Sequence, residues 1–341
     1  MKVLVTGGAG FIGSHVVDAL CEEGRNVICI DSLDSSVHRA LPDYVRRDAE
    51  YCIADLRNWV PDRRFDDVEA IVHLAALGGV SRAAREPANV VGANAFGTSR
   101  LLEAASTWRN LKRIVLGSSF SVYGSNYSYR CRRCDREFVG TRRARDLEAG
   151  RFEVFCAECE AEAEIVPICE SVPPQPLEPY GASKYMQELC FRGFDKCAVS
   201  ILRFSSVYGS RLRLDDGEAT IISRILGWVR SGQPPQLYED GRQIRDWVFV
   251  GDVMAAVRAI LDGAPVPPVV NVCSGVPIRL VEACERVAEV LGVDCPPDVV
   301  GGYRPGDMRH CLGDASAVRD LLGRLPIAFK DGIELALGAG T

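Results

Sequence analysis

The chain opens on an apolar run, Lys2 to Thr6, then a cluster of glycines, then a stretch whose apolar positions recur at helical spacing. This predicts a strand over Lys2–Thr6 and a helix over Gly10–Glu23. The alternation continues with strands over Asn26–Asp31 and Glu69–Ala75, a helix over Ala88–Ala105, and a buried strand over Leu111–Ser118 centred on Ile114, Val115 and Leu116. A helix over Tyr180–Phe194 and a strand over Ala198–Ser205 keep the same order. Strands and helices alternating in this way call for a doubly wound parallel sheet, so the fold class is α/β.

Between Ser125 and Ile168 the period fails, and Arg, Glu and paired Cys dominate. Because the strand–helix order resumes afterwards, 126–168 reads as an insertion in a loop. Past Gly209 the chain is irregular, with helices expected over Thr220–Ser231, Asp252–Leu261 and Ile278–Leu291 between Gly/Pro-rich connections. The expected organisation is a sheet domain over 1–204 carrying the insertion, with 237–262 returning to it, and a smaller C-terminal lobe, mainly 205–341, that binds substrate.

Composition narrows the function. The 341 residues are 47% hydrophobic and 25% charged, as in ordinary globular proteins, and the net charge of -6 offers nothing to nucleic acid or an anionic membrane. No run of 18 apolar residues occurs, so no membrane span is expected and a cytoplasmic location is the default. Of 14 cysteines, ten stand singly, many in apolar segments, and read as small buried hydrophobes. The other four form two close pairs inside the insertion, which in a reducing compartment suggests metal more than disulfides.

Gly7, Gly10 and Gly13 lie where the first strand turns into the first helix. Glycine there permits a tight turn and lets backbone N–H groups approach a pyrophosphate at the positive helix end. Asp31 ends the second strand, where a carboxylate accepts from an adenosine ribose and repels a 2′-phosphate; the cofactor expected is NAD. Asp55 and Leu56, after a third strand, are placed to meet the adenine.

Tyr180 and Lys184 stand four apart on one helical face. A phenol of pKa about 10 is a poor base at neutral pH, and a neighbouring ammonium with an oxidised nicotinamide makes it usable. Ser119, at the carboxyl end of a predicted strand, points into the crevice where such sheets bind ligands.

In these residues the chain resembles the extended short-chain dehydrogenase/reductases, specifically the NAD-dependent nucleotide-sugar epimerase/dehydratase group. The ordered matches also include His73-Leu74-Ala75-Ala76, Asn94 with Gly97-Thr98, Arg203 to Gly209, Arg245-Asp246, Asn271 with Ser274-Gly275, and Arg304-Pro305-Gly306-Asp307. The resemblance implies a Rossmann-type sheet, a catalytic trio of Ser119, Tyr180 and Lys184, and nucleotide-diphosphate sugars as the substrate class. On the NAD side it places Gly7, Gly10, Phe11, Ile12, Gly13, Asp31, Asp55, Leu56, Leu74, Ala75, Ala76 and Asn94, with Tyr180 and Lys184. On the substrate side it places Ser119, Ser206, Arg245, Arg304 and Asp307, the two arginines as diphosphate clamps.

In that group Tyr180 takes a proton from a sugar hydroxyl, usually at C4, while hydride leaves the same carbon. Phe120 and Ser121 follow Ser119 where dehydratases carry an acidic pair and decarboxylases a Glu, which favours a 4-epimerase over those two. A non-catalytic NAD-binding interaction protein is the remote alternative. Two departures matter: Ser206 replaces an Asn common in relatives, and Ser81, then Arg82, follows the Gly79-Val80 where uronic-acid epimerases tend to carry Arg at once. A homodimer through the Ala88–Ala105 and Tyr180–Phe194 helices is implied by the resemblance.

Cys131-x2-Cys134 and Cys156-x2-Cys159 have zinc-ribbon spacing. Four thiolates fill a tetrahedral shell, so the expected zinc is structural, folding a segment too polar to build its own core. Rooted between Ser119 and Tyr180, the knuckle is expected beside the substrate entrance, with Arg142, Arg143 or Arg145 available for specificity.

Overall fold

The computed structural model describes residues 1–38, 40–213, 220–304 and 307–338; Pro305 and Gly306 of the Arg304–Asp307 motif lie outside the described residues. Seven strands form one parallel sheet: β1 (Lys2–Thr6), β2 (Asn26–Asp31), β3 (Glu50–Ile53), β4 (Ala70–His73), β5 (Arg113–Ser119), β6 (Ala198–Phe204) and β7 (Val269–Val272). Their order is β7-β6-β5-β4-β1-β2-β3. The order reverses between β4 and β1, so the carboxyl ends of these two strands open a crevice.

The central strands are apolar on both faces because helices cover both. Helices Phe11–Glu22 and Val250–Leu261 pack together on one face through Val16, Val17, Leu20, Val253, Val257 and Ile260. Helices Gly97–Ala105 and Pro179–Arg192 lie on the other, burying Leu101, Leu102, Ala105 and Phe191. The chain expected to return to the sheet over 237–262 supplies helix Val250–Leu261; the seventh strand comes later, at Val269–Val272.

The single helix expected over Ala88–Ala105 is three pieces: Pro87–Val91, a widened π-turn at Gly92–Phe96, and Gly97–Ala105. Such turns recur at functional sites, and this one carries Asn94. A lobe with its own core (Ile222, Ile225, Trp247, Leu280, Val287 and Ile333) sits at the carboxyl side of the chain. It includes a three-stranded sheet of Ser206–Tyr208, Ile244–Phe249 and Pro277–Arg279.

The insertion forms a small antiparallel sheet of Glu137–Val139, Ser128–Cys131 and Ala163–Ile165. Among the described residues no helix is long and apolar enough to cross a membrane.

Candidate active site

The turn after β1 is shaped by atoms that are missing from glycine. Gly7 has φ of +72°, and a Cβ there would lie 2.9 Å from the Ala75 amide nitrogen. A Cβ on Gly13 would lie 1.9 Å from the Gly7 carbonyl oxygen, so only glycine lets helix Phe11–Glu22 start this close to the strand. Ala9 donates its N–H to the Asp31 carboxylate at 2.9 Å, and Leu33 donates to the other oxygen at 2.9 Å. A carboxylate has about four acceptor sites, so this one is held in place with capacity left for ribose hydroxyls.

A cavity of about 800 Å³ runs from this turn to helix Pro179–Arg192. Gly7, Gly10, Phe11, Ile12, Gly13, Asp31, Asp55, Leu56, Leu74, Ala75, Ala76, Tyr180 and Lys184 all line it. Its length, its glycine cradle and the carboxylate at β2 fit a dinucleotide. Asp55 is itself held by Arg57, whose Nη2 donates to it at 2.6 Å.

Asn94 does not line the cavity. Buried behind it, its amide accepts from Leu77 N–H at 2.7 Å and donates to the Leu77 carbonyl at 3.1 Å and to Ser183 Oγ at 2.8 Å. Its side chain thus ties the loop after β4 to the catalytic helix and has no donor left for a cofactor.

Helix Pro179–Arg192 starts with proline at its first turn and Glu178 as its cap, the carboxylate accepting from Tyr180 N–H at 2.7 Å and Gly181 N–H at 2.6 Å. Tyr180 thereby faces the end of β5, with the Ser119 hydroxyl in hydrogen-bonding reach of its phenol. Ser119 Oγ in turn accepts the Ser121 N–H at 3.1 Å.

Burial sets the charge of both groups in the protein alone. Burial pushes the Tyr180 phenol up to about 12, the Ser119 hydrogen bond opposing it and Glu178 adding to it. Lys184, also buried, is driven down to about 7 and donates from Nζ to Gln187 Oε1 at 2.5 Å. Desolvation is the largest influence on each.

Behind Lys184 lies a network that sequence reading missed. Gln187 donates from Nε2 to Thr98 Oγ1 at 2.7 Å, and Thr98 donates to the Asn94 carbonyl at 2.6 Å. That orientation makes His73 Nε2 the donor to Thr98, at 2.7 Å, and His73 Nδ1 the acceptor from Thr6 Oγ1, at 2.6 Å. Burial, with the Lys184 charge beside it, holds His73 neutral by lowering it to about 3. Gln187 falls three residues past Lys184, a helical spacing that offered the available signal.

The substrate-side residues are more dispersed. Ser206 begins the short strand paired with Trp247. Arg245 and Arg304 stand outside the cavity lining. Arg245 donates to the carbonyls of Ile244 (2.8 Å), Arg309 (3.0 Å) and Met308 (3.3 Å). Arg304 is exposed, its guanidinium 5.1 Å from the centre of the Tyr238 ring. The arginines that line the cavity are Arg57, Arg82, Arg211 and Arg213. Arg82 is turned to Ser36 Oγ (2.6 Å) and Asp34 (3.3 Å).

In the insertion, Cys131, Cys134, Cys156 and Cys159 bring their sulfurs within 4.8 Å of one another, all as free thiols. The two halves repeat one turn. Asp135 N–H donates to the Cys131 carbonyl at 3.1 Å and Glu160 N–H to the Cys156 carbonyl at 3.0 Å, with Asp135 and Glu160 both at positive φ (56° and 53°). The amides of Cys134 and Arg133 point at Cys131 Sγ and hold that thiol down at about 6.

Of the three arginines expected near substrate, Arg142 is buried on Glu239, Arg143 pairs with Asp146 and Glu160, and Arg145 lies near Glu160. None lines the cavity.

With fold and geometry in view, the NAD dependent epimerase/dehydratase family model matches residues 3–273, and the chain belongs to that family. It is an NAD-dependent enzyme of the extended short-chain dehydrogenase/reductase type. A dTDP-L-rhamnose 4-epimerase of Burkholderia thailandensis is 30% identical over 95% of this chain and 90% of its own. A dTDP-glucose 4,6-dehydratase of Streptomyces niveus is 30% identical over 98% of this chain and 90% of its own. The structure of Thermus thermophilus UDP-glucose 4-epimerase in complex with NAD superposes with a TM-score of 0.75 at 27% identity, covering 99% of this chain and 98% of that one.

Proposed function

We propose that the protein is a nucleotide-diphosphate-sugar 4-epimerase. The observation that carries this reading is the closure of one continuous cavity by a glycine cradle at one end and by Tyr180, with Ser119 in reach, at the other. The cradle and Asp31 would hold NAD, which when bound supplies reversible hydride acceptance beside Tyr180. Tyr180 would take the C4 hydroxyl proton and later return it. Ser119 would steady the developing carbonyl oxygen. Lys184 would leave Gln187 for the nicotinamide ribose and, with the oxidised ring, bring the phenol down toward neutrality.

Dehydration remains the second reading, because a dehydratase is among the relatives. It needs a carboxylic acid to protonate the leaving hydroxyl. Phe120 and Ser121 supply none, and Glu178, though burial raises its carboxyl, caps the helix with one bond to each oxygen and does not line the cavity. This favours epimerisation, where the keto sugar only turns over.

A panel of UDP- and dTDP-hexoses, incubated with the protein and followed by mass spectrometry, separates the two. Epimerisation leaves the mass unchanged; loss of water or carbon dioxide would overturn the assignment. Tyr180→Phe is expected to lower kcat by about 10²–10⁴ with NAD content unchanged.

We also assign a structural zinc ion to Cys131, Cys134, Cys156 and Cys159. A tetrahedron with zinc–sulfur bonds of about 2.3 Å has edges of about 3.8 Å. Sulfur pairs here stand at 3.3, 3.8 and 3.9 Å, so the cluster needs little adjustment to take the ion. The exposed Met186 and Leu189 on helix Pro179–Arg192, with Phe96 on the neighbouring π-turn, support a homodimer.

A further inference from the structure

The insertion grips one particular stretch of the lobe. Arg142 lies on Glu239 and donates to the Asp307 carbonyl at 2.5 Å. Glu153 receives Arg309 Nη2 at 2.6 Å on one oxygen and His310 Nε2 at 2.8 Å on the other. His310 Nδ1 accepts the Ile244 N–H at 3.1 Å, which leaves the ring proton on Nε2 for Glu153. Ile168, at the end of the insertion, reaches the same stretch: its N–H donates to the Leu312 carbonyl and its carbonyl accepts from Asp314, both at 2.9 Å. Tyr127 closes the row, its hydroxyl 3.3 Å from Cys311 Sγ.

The gripped stretch, 307–314, is tied to Arg304 by the Asp307 N–H, which donates to the Arg304 carbonyl at 3.2 Å, and the carbonyls of Met308 and Arg309 are where Arg245 anchors its guanidinium. Both proposed diphosphate clamps are therefore attached to backbone that the insertion holds. Arg309 is fully buried among Glu153, Glu239 and Asp240, at 2.6 to 2.9 Å. Charges so deeply placed keep a fixed geometry only while every partner stays in position.

The insertion buries Tyr127, Tyr129, Leu147, Val154, Ala163 and Ile168, with Phe138 and Ile165 packed against them. Apart from Leu147, these join the core of the main sheet, and the metal would fix the outer end of the segment, where the four cysteines lie.

We infer that the zinc knuckle is a brace for the nucleotide end of the site, with Arg142 and Glu153 as positioning residues. They act through Asp307, Arg309 and His310 on Arg304 and Arg245, and touch no substrate themselves. The inference rests on the nucleotide-sugar and zinc readings above, and its test keeps the three apart.

The holoenzyme and the variants Arg142→Met and Glu153→Gln are compared; Glu153→Gln keeps the shape of the side chain and serves if Arg142→Met folds poorly. Four readouts are taken: the Kd for UDP and for dTDP by calorimetry, hydrogen exchange over 307–314 by mass spectrometry, and the zinc and NAD contents. Expected are a tenfold or greater weakening of nucleoside diphosphate binding and at least tenfold faster exchange over 307–314, with zinc and NAD contents unchanged. For any sugar nucleotide turned over, KM rises while kcat holds within twofold. Wild-type protein stripped of metal by a chelator shows the same gain in exchange.

Unchanged exchange and unchanged affinity in both variants overturn the brace. If exchange responds although neither diphosphate binds the wild type, the brace stands and the nucleotide-sugar reading falls. If the purified protein carries no zinc yet the variants still loosen 307–314, the brace stands without the metal.

Discussion

Lys184 shows burial and function pulling on one group in opposite directions. Its ammonium is driven from an ordinary value near 10.5 to about 7 by loss of water, with Glu188 opposing. In the unfolded chain the same amine keeps its proton to about pH 10.4. Between these limits the unfolded state binds more protons, so this residue makes the cofactor-free protein more stable as pH rises from about 7 toward 10. Below pH 7 the fold must carry a buried charge. The slope is at most about 1.4 kcal/mol per pH unit for one proton. Urea unfolding of NAD-free protein at pH 6 through 9 should show this rise in the wild type relative to Lys184→Met; parallel curves would refute it. Burial likewise raises Tyr180 to about 12 in the cofactor-free protein.

Among the elements, the turn from β1 into helix Phe11–Glu22 is the least tolerant. Gly13→Ala would force a methyl to 1.9 Å from the Gly7 carbonyl, and backbone, unlike a side chain, has nowhere to swing. Expected is a loss of about 3 kcal/mol and protein that no longer co-purifies with NAD, read by thermal melting and absorbance. A melt and an NAD content like the wild type would show that the turn relaxes.

Elements of this kind were legible in the sequence because local pattern decides them. The strands Lys2–Thr6 and Asn26–Asp31 emerge with the bounds their apolar runs suggest. The four cysteines meet because short turns bring each pair together. What escaped were features set at long range. Strand β7 is four residues at the sheet edge, paired only with β6, so no alternation long enough to read exists. The π-turn around Asn94 lies between Gly92 and Gly97, which the helical period on either side hides. The network joining Lys184 to His73 links residues more than a hundred positions apart, and Arg142 reads as a surface arginine until Glu239 and Asp307 fold against it.

At the scale of the whole molecule, helix Pro179–Arg192 leaves an apolar outer surface uncovered. Helix Pro179–Arg192 buries Ser183, Lys184, Gln187 and Phe191 inward. Outward it presents Met186 and Leu189, 45% and 47% exposed and three residues apart, with Phe96, 54% exposed, on the neighbouring π-turn. Apolar side chains so grouped on a packed helix pair suit a self-complementary two-fold interface. Each is already about half covered, so burying the rest contributes about 0.7–1.5 kcal/mol per side chain, or about 3–6 kcal/mol over the four that a two-fold axis brings together. Replacing both with carboxylates removes that term and sets like charges against each other across the axis. Met186→Glu with Leu189→Glu should therefore weaken the dimer by at least about a hundredfold, giving monomers at micromolar concentration in sedimentation velocity. Because both sites are exposed in the single chain, the fold and bound NAD should survive. Because the helix also carries Tyr180 and Lys184, kcat should fall several-fold when its outer face is left in water. A wild-type protein that already sediments as a monomer at these concentrations would mean that this face serves something other than a second copy.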